Sequence, residues 1–313
     1  MRADFVKAVE SVLLADSRAM FFSGDLGYNA LEGLEAKLGS RFINSGVAEQ
    51  NMIGVAAGVT LTGLSAWVYS IAPFATFRCL EQIRNDVCLH NLPVRIVGNG
   101  AGYTYGIMGP SHHALEDLAV LKALPNMHLF FPCSGNHVAA AVEKMNRLPG
   151  PSYLRLGISG FPSEATALSE HPETLTRTYR RRTAEGGVTV VGAGHAVQIV
   201  LSAVGLGLER VNADVFGVAR YPLDLDLDAE LRQSAVATGR VLFVEEHYAP
   251  GGIGESIRLE LGSPVQAFRL LAPKYLRGQR YGSATFHLRQ GGITPERVVE
   301  LATELAAPGQ ARV

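Results

Sequence analysis

The chain has 313 residues, 47% of them hydrophobic and 18% charged, enough to fill substantial cores in about two domains. Its formal charge is −1, from 28 basic and 29 acidic residues without long runs of either sign, which argues against a nucleic-acid or membrane-surface binder and leaves a small anionic substrate open. The opening Met1-Arg2-Ala3-Asp4-Phe5-Val6-Lys7 lacks the apolar core of a signal peptide, no apolar stretch is long enough to span a bilayer, and the well-separated Cys79, Cys88 and Cys133 suit reduced cytoplasmic thiols better than a disulfide framework.

In chain order, Phe5, Val6, Val9, Leu13 and Leu14 fall at helical spacing, and Met20-Phe21-Phe22-Ser23-Gly24-Asp25 reads as a short buried strand ending in a glycine turn. The Gly- and Ala-rich run from Gly46 to Leu64 predicts a helix, Ser65 to Ser70 a strand, Phe74 to Leu89 a second long helix, and Pro93 to Gly98 another strand. This alternation implies a parallel sheet covered by helices on both faces. Between about Gly157 and Arg182 the periodicity gives way to Pro, Ser, Thr and charge, ending in Arg180-Arg181-Arg182, which reads as an interdomain linker with a solvated basic end. Val188 to His195 is then a strand entering a glycine turn, without the third glycine and acidic partner of a dinucleotide site. Val211 to Val218 and Val241 to Glu246 add strands of a second, smaller α/β domain. The expected fold class is therefore α/β in two domains, each a mainly parallel sheet flanked by helices.

Asn44-Ser45-Gly46-Val47-Ala48-Glu49-Gln50-Asn51 sets one carboxylate at a helix opening, where the helix dipole favours an acid with or without a function. Ile71, Phe74 and Phe77 recur every three residues and so share one helix face, a spacing that also suits plain core packing. His112 lies in Gly109-Pro110-Ser111-His112-His113, a glycine and proline loop poorly suited to burying an imidazole.

With Gly46-Val47-Ala48-Glu49-Gln50, Glu81-Gln82-Ile83-Arg84-Asn85-Asp86, Gly109-Pro110-Ser111-His112-His113, Leu124-Pro125-Asn126-Met127 and Glu245-Glu246-His247 in this order, nearly the whole chain resembles the transketolase family, most closely its C-terminal half encoded as a separate small subunit. The resemblance implies a thiamine diphosphate pyrimidine-binding domain over residues 1–165, a linker over 166–182 and a transketolase C-terminal domain over 183–313. It implies that Glu49 shares a proton with the cofactor's pyrimidine, that Phe74 and Phe77 form the aromatic plate beside an aliphatic Ile71, and that Asp25 and Leu26 of Ser23-Gly24-Asp25-Leu26 border the cofactor cleft. It assigns His112 to the substrate channel as a hydrogen-bond donor, Asn29 and Arg155 to a sugar phosphate, and His113 to the place of a common glutamine. Two positions depart from the pattern. Met108 stands where transketolases carry an aspartate that reads a sugar hydroxyl, and Gly100 where they carry a histidine, which leaves a more apolar channel with Tyr103 and Tyr105 nearby.

The Gly-Asp-Gly and Asn-Asn segments that hold Mg²⁺ in complete thiamine diphosphate enzymes are not found, so the resemblance implies that metal ligands come from an N-terminal-half partner subunit in an α2β2 heterotetramer. The expected reaction is transfer of a two-carbon ketol unit from a ketose to an aldehyde. Alternatives are a decarboxylating relative of deoxyxylulose phosphate synthase or of the 2-oxoacid dehydrogenase beta subunits, acting on a 2-oxoacid, and a noncatalytic scaffold subunit.

Overall fold

A computed structural model describes residues 1–157, 166–182, 187–275, 278 and 281–307. The strands are β1 (Ala19–Ser23), β2 (Phe42–Asn44), β3 (Ser65–Ile71), β4 (Val94–Asn99), β5 (His128–Phe130), β6 (Ser152–Leu156), β7 (Ser169–Glu170), β8 (Arg177–Arg180), β9 (Val188–Ala193), β10 (Ala213–Val218), β11 (Arg220–Tyr221), β12 (Arg240–Val244) and β13 (Ala267–Leu271). They form a seven-stranded sheet in the order β11-β5-β6-β4-β3-β1-β2 and a six-stranded sheet in the order β13-β12-β9-β10-β8-β7. All pairings are parallel except those of β11 with β5, β8 with β10 and β7 with β8. The central strands β4 and β9 are buried along their whole length, as expected where helices cover both faces of a parallel sheet. The architecture is the two-domain α/β fold expected from the pattern.

Helix Arg2–Ala15 turns Phe5, Val9 and Leu13 into the core at four-residue spacing. The Gly- and Ala-rich helix begins at Glu49 rather than Gly46, because Gly46 takes a φ of 66° that belongs to a turn, and it runs to Leu61. The long helix expected from Phe74 to Leu89 is not continuous. A short helix Ala72–Thr76 is followed by a turn, a single turn Leu80–Gln82 and a wider π-helical segment Ile83–Cys88. Such π segments are frequent at functional sites.

The segment 166–182, expected as a linker, instead contributes β7 and β8 to the second sheet, which pairs β8 antiparallel to β10. The residues on either side of that expected linker, 158–165 of the expected first domain and 183–186 of the expected second, lie outside the described residues. Nor is Arg180-Arg181-Arg182 a solvated loop. The Arg180 guanidinium donates to the carbonyls of Leu208, Glu209 and Val211, Arg181 pairs with Asp214 at 3.4 Å, and the Arg182 amide donates to Asp214. A three-residue cationic run with carbonyls and a buried carboxylate within reach becomes a clasp around the second domain.

The two domains are also joined through a strand. β11, from the second half of the chain, pairs Arg220 with Phe130 and Tyr221 with Leu129 at the edge of the first sheet. Cys79, Cys88 and Cys133 are free and buried, each thiol pushed up to about 12 by desolvation. Among the described residues no helix is long and apolar enough to cross a membrane.

Candidate functional site

The strand order of the first sheet reverses between β1 and β3, since the chain runs from β1 to β2 on one side and from β3 to β4 on the other. Open parallel sheets bind ligands beyond the carboxyl ends of strands at such a switch point. Gly24 follows β1 and donates its amide to the Tyr69 carbonyl of β3, while Ser70 and Ile71 end β3. A Cβ on Gly24 would lie 3.0 Å from Ser70 Oγ and 3.5 Å from Glu49 Cγ, so glycine here keeps a side chain off the carboxylate.

Glu49 is the first residue of its helix, yet its side chain turns inward and is only 2% exposed. Ser70 Oγ donates to one carboxylate oxygen at 3.2 Å and Arg78 donates to the other at 2.7 Å. The Arg78 side chain is 41% exposed and also lies over the Phe74 ring, 4.3 Å from its centroid. His112 packs edge-on against the same ring at 5.0 Å, and its Nδ1 is 3.0 Å from Ser111 Oγ. Phe74 thus carries a cation and an imidazole beside a buried carboxylate, and residues from three separate motifs meet there.

Ile71 and Phe77 flank Phe74 and are half-buried, Ile71 as the last residue of β3 rather than on a helix. Met108 is half-exposed in the turn Gly106–Met108 that precedes His112. Asp25 and Asn29 are exposed on the loop after β1, with φ of 53° and 61°. Asp25 accepts from the Asn44 amide at 2.9 Å, Leu26 accepts from Ser23 Oγ through its carbonyl, and the Asn29 backbone amide donates to Glu32.

Two expected substrate residues do not stand in this opening. Arg155 is enclosed, its Nε held by both oxygens of Asp117 at 3.1 and 2.8 Å and its Nη2 donating to the carbonyls of Ala114 and Glu246. These bonds hold Nε and Nη2 in the interior, and Arg155 itself is 5% exposed. Tyr153 completes that pair by donating to Asp117 at 2.8 Å. His113 is buried against Tyr103 and His287, 5.1 and 4.8 Å between ring centroids, and its proton affinity is lowered chiefly by desolvation. It belongs to the domain junction rather than to the channel.

Sequence reasoning missed Ser70 as a partner of Glu49 and gave no role to Arg78, although both lie beside motifs it used. It also missed Asn99, whose amide donates to Tyr105 Oη at 2.6 Å, and the pairing of His195 with Glu246 across the second sheet. The Glu245-Glu246-His247 motif was the available signal for the latter.

The model of the transketolase pyrimidine binding domain matches residues 1–159. Over 273 residues, 85% of each chain, the sequence is 30% identical to one subunit of the apulose-4-phosphate transketolase of Actinobacillus succinogenes. The chain belongs to the transketolase family. Within the family it is similar to chains that carry the C-terminal half separately. It is 32% identical over 223 residues to the putative transketolase C-terminal section of Methanocaldococcus jannaschii, 69% of this chain and 67% of that one. A split gene transketolase, solved as an inactive beta4 tetramer, matches with a TM-score of 0.80 and 30% identity over 97% of both chains. The transketolase of Leishmania mexicana shares the fold with a TM-score of 0.80 at 19% identity, and there this transketolase-family chain covers 46% of the longer one.

Proposed function

We propose that this chain is the small subunit of a heteromeric, thiamine diphosphate-dependent transketolase that moves a two-carbon ketol unit from a ketose to an aldehyde. The observation that carries the proposal is the buried Glu49 carboxylate beside the Phe74 ring at the sheet's switch point, with His112 on the ring's edge. An aminopyrimidine fits these residues. Glycine at position 24 keeps a further side chain from packing against Glu49, and Phe74 offers a ring face on which Arg78 now rests. The Gly-Asp-Gly and Asn-Asn segments that hold the Mg²⁺ diphosphate in complete enzymes are not found in this sequence. A partner subunit supplies that half.

When bound, the cofactor supplies a carbon nucleophile able to hold the electron pair released as the donor's carbon–carbon bond breaks. Glu49 holds a proton at the pyrimidine ring nitrogen, with Ser70 fixing the carboxylate's orientation. Phe74 takes the flat ring, Ile71 and Phe77 wall it, and Asp25 and Leu26 border the cleft. His112 donates a hydrogen bond to the donor's oxygen. Met108 and Asn29 stand toward the substrate's far end. The relatives named for apulose-4-phosphate and 6-deoxy-6-sulfo-D-fructose support a ketose donor with an anionic end.

Calorimetry of the purified chain with thiamine diphosphate and Mg²⁺, with and without a partner of the N-terminal-half type, tests the proposal together with a ketose phosphate assay. Weak binding alone, with tight binding and turnover only in the mixture, is the expected result. Tight Mg²⁺-dependent binding and full turnover by the chain alone overturns the split site, and carbon dioxide release from a 2-oxoacid overturns the ketol transfer.

A further inference from the structure

The loop that carries Met108 and His112 is held from the other domain at three glycines. A Cβ on Gly102 would overlap the Glu246 carboxylate, one on Gly106 would lie 2.6 Å from the Gly282 carbonyl and 2.9 Å from His287 Cδ2, and one on Gly109 would overlap the Tyr281 ring. Gly102 and Gly109 also have φ of 55° and 81°, so each position needs glycine for both its conformation and its neighbour. Glu246 accepts from the Tyr103 amide at 2.7 Å and pairs with His195.

The tightest convergence is on the Gly106 carbonyl. It accepts from the Gly109 amide at 3.1 Å, closing the turn just before His112, and it faces His287 Nε2 at 3.2 Å and His113 Nε2 at 3.4 Å. A carbonyl only accepts, so His287 carries its proton on Nε2. The His287 ring stacks on Tyr103 at 5.0 Å with 12° between planes, which fixes its aim. The turn continues through the His112 amide, which donates to the Gly109 carbonyl at 3.0 Å. His287 and Tyr281 lie more than 160 residues along the chain from His112, in a domain with no part in the cluster around Glu49.

We propose that His287 and Tyr281 of the second domain are positioning residues for the substrate channel, setting where Met108 and His112 stand and so how the sugar is held. The proposal rests on the reading of that channel as a ketose site. His287 acts by clamping the Gly106 carbonyl, and Tyr281 by covering Gly109. Neither touches the groups around Glu49, so substrate binding responds to them and cofactor binding does not.

The test uses the full chain, alone and reconstituted with its partner. Replacing His287→Leu removes the donor, while His287→Gln places an amide donor near the same point. Amide hydrogen exchange at Gly106, Met108, Gly109 and His112 is expected to speed up about tenfold or more in His287→Leu and to return to the parent rate in His287→Gln. In the reconstituted enzyme KM for the ketose phosphate rises about fivefold or more in His287→Leu, with thiamine diphosphate affinity unchanged and the glutamine variant restored. Tyr281→Ala, at a side chain 72% exposed, removes the ring without endangering the fold and is expected to speed exchange at Gly109 and His112. Unchanged exchange in both His287→Leu and Tyr281→Ala overturns the proposal, as does a loss of cofactor affinity equal to the rise in KM or a failure of His287→Gln to restore it. If the reconstituted parent turns over no ketose, the proposed function fails, and the exchange rates still decide whether the second domain holds the loop.

Discussion

Two arginine–carboxylate pairs in the first domain have the same chemistry and opposite situations. Arg155 and Asp117 are both enclosed, with Arg155 Nη2 donating to the carbonyls of Ala114 and Glu246 and Tyr153 donating to Asp117. Arg78 and Glu49 form a lopsided pair, with a buried carboxylate and a guanidinium reaching into solvent across an aromatic ring. A closed pair is structure, because no third group can enter it without leaving a charge uncompensated. An open pair leaves one partner free to exchange, which suits a site.

The largest effect is expected from breaking the closed pair. Arg155→Ala leaves Asp117 charged and buried, and should lower unfolding stability by about 3–5 kcal/mol, measured by urea denaturation. A loss near zero, with weaker sugar binding instead, would return Arg155 to the channel. Next is Glu49→Gln, which should lower turnover of the reconstituted enzyme by about two orders of magnitude or more, roughly 3 kcal/mol of barrier, while stability and subunit assembly hold. Unchanged proton exchange at the thiazolium carbon would remove Glu49 from the chemistry.

Arg78→Ala sharpens the contrast from the other side. Water replaces the exposed guanidinium, so the stability change should stay within about 1 kcal/mol, well below that of Arg155→Ala. Equal losses from the two arginine variants would dissolve the distinction drawn between them. The smallest effect concerns Met108. With no buried carboxylate left unpaired when a hydroxyl is missing, the enzyme should prefer a hydroxylated over a deoxygenated acceptor by less than about a hundredfold in kcat/KM. A larger ratio would mean that another polar group reads that hydroxyl.

The contrast also marks what the sequence could tell. The βαβ rhythm of the first domain and the carboxylate at the opening of its glycine-rich helix were legible because each depends on neighbours within a turn or two, whereas a cofactor plate at Phe74 is an expectation from the family resemblance alone. The pairing of Arg155 was not legible because it is decided by Asp117, 38 residues away, and by a carbonyl at Glu246, 91 residues away. The burial of His113 against Tyr103 and His287 was out of reach for the same reason, since His287 lies far along the chain. The strands β7 and β8 escaped notice because a two-residue and a four-residue strand rich in Ser, Thr and Arg carry too little alternation to separate from a loop. Arg78 was in view, but a cation next to an aromatic run does not reveal which carboxylate it meets.

The short strand β11 has a consequence for how this chain reaches its native state. Residues 220 and 221 close the β5 edge of a sheet whose other strands all lie before residue 157, and this edge would otherwise present unpaired amides and carbonyls. A ribosome must therefore have made the chain through Tyr221 before that edge is covered. Until then it is a template for pairing with another nascent chain, so the interval is a window for aggregation that slow synthesis lengthens. Proteins with such late-arriving edge strands also gain contact order, and with it slower folding, from only two residues.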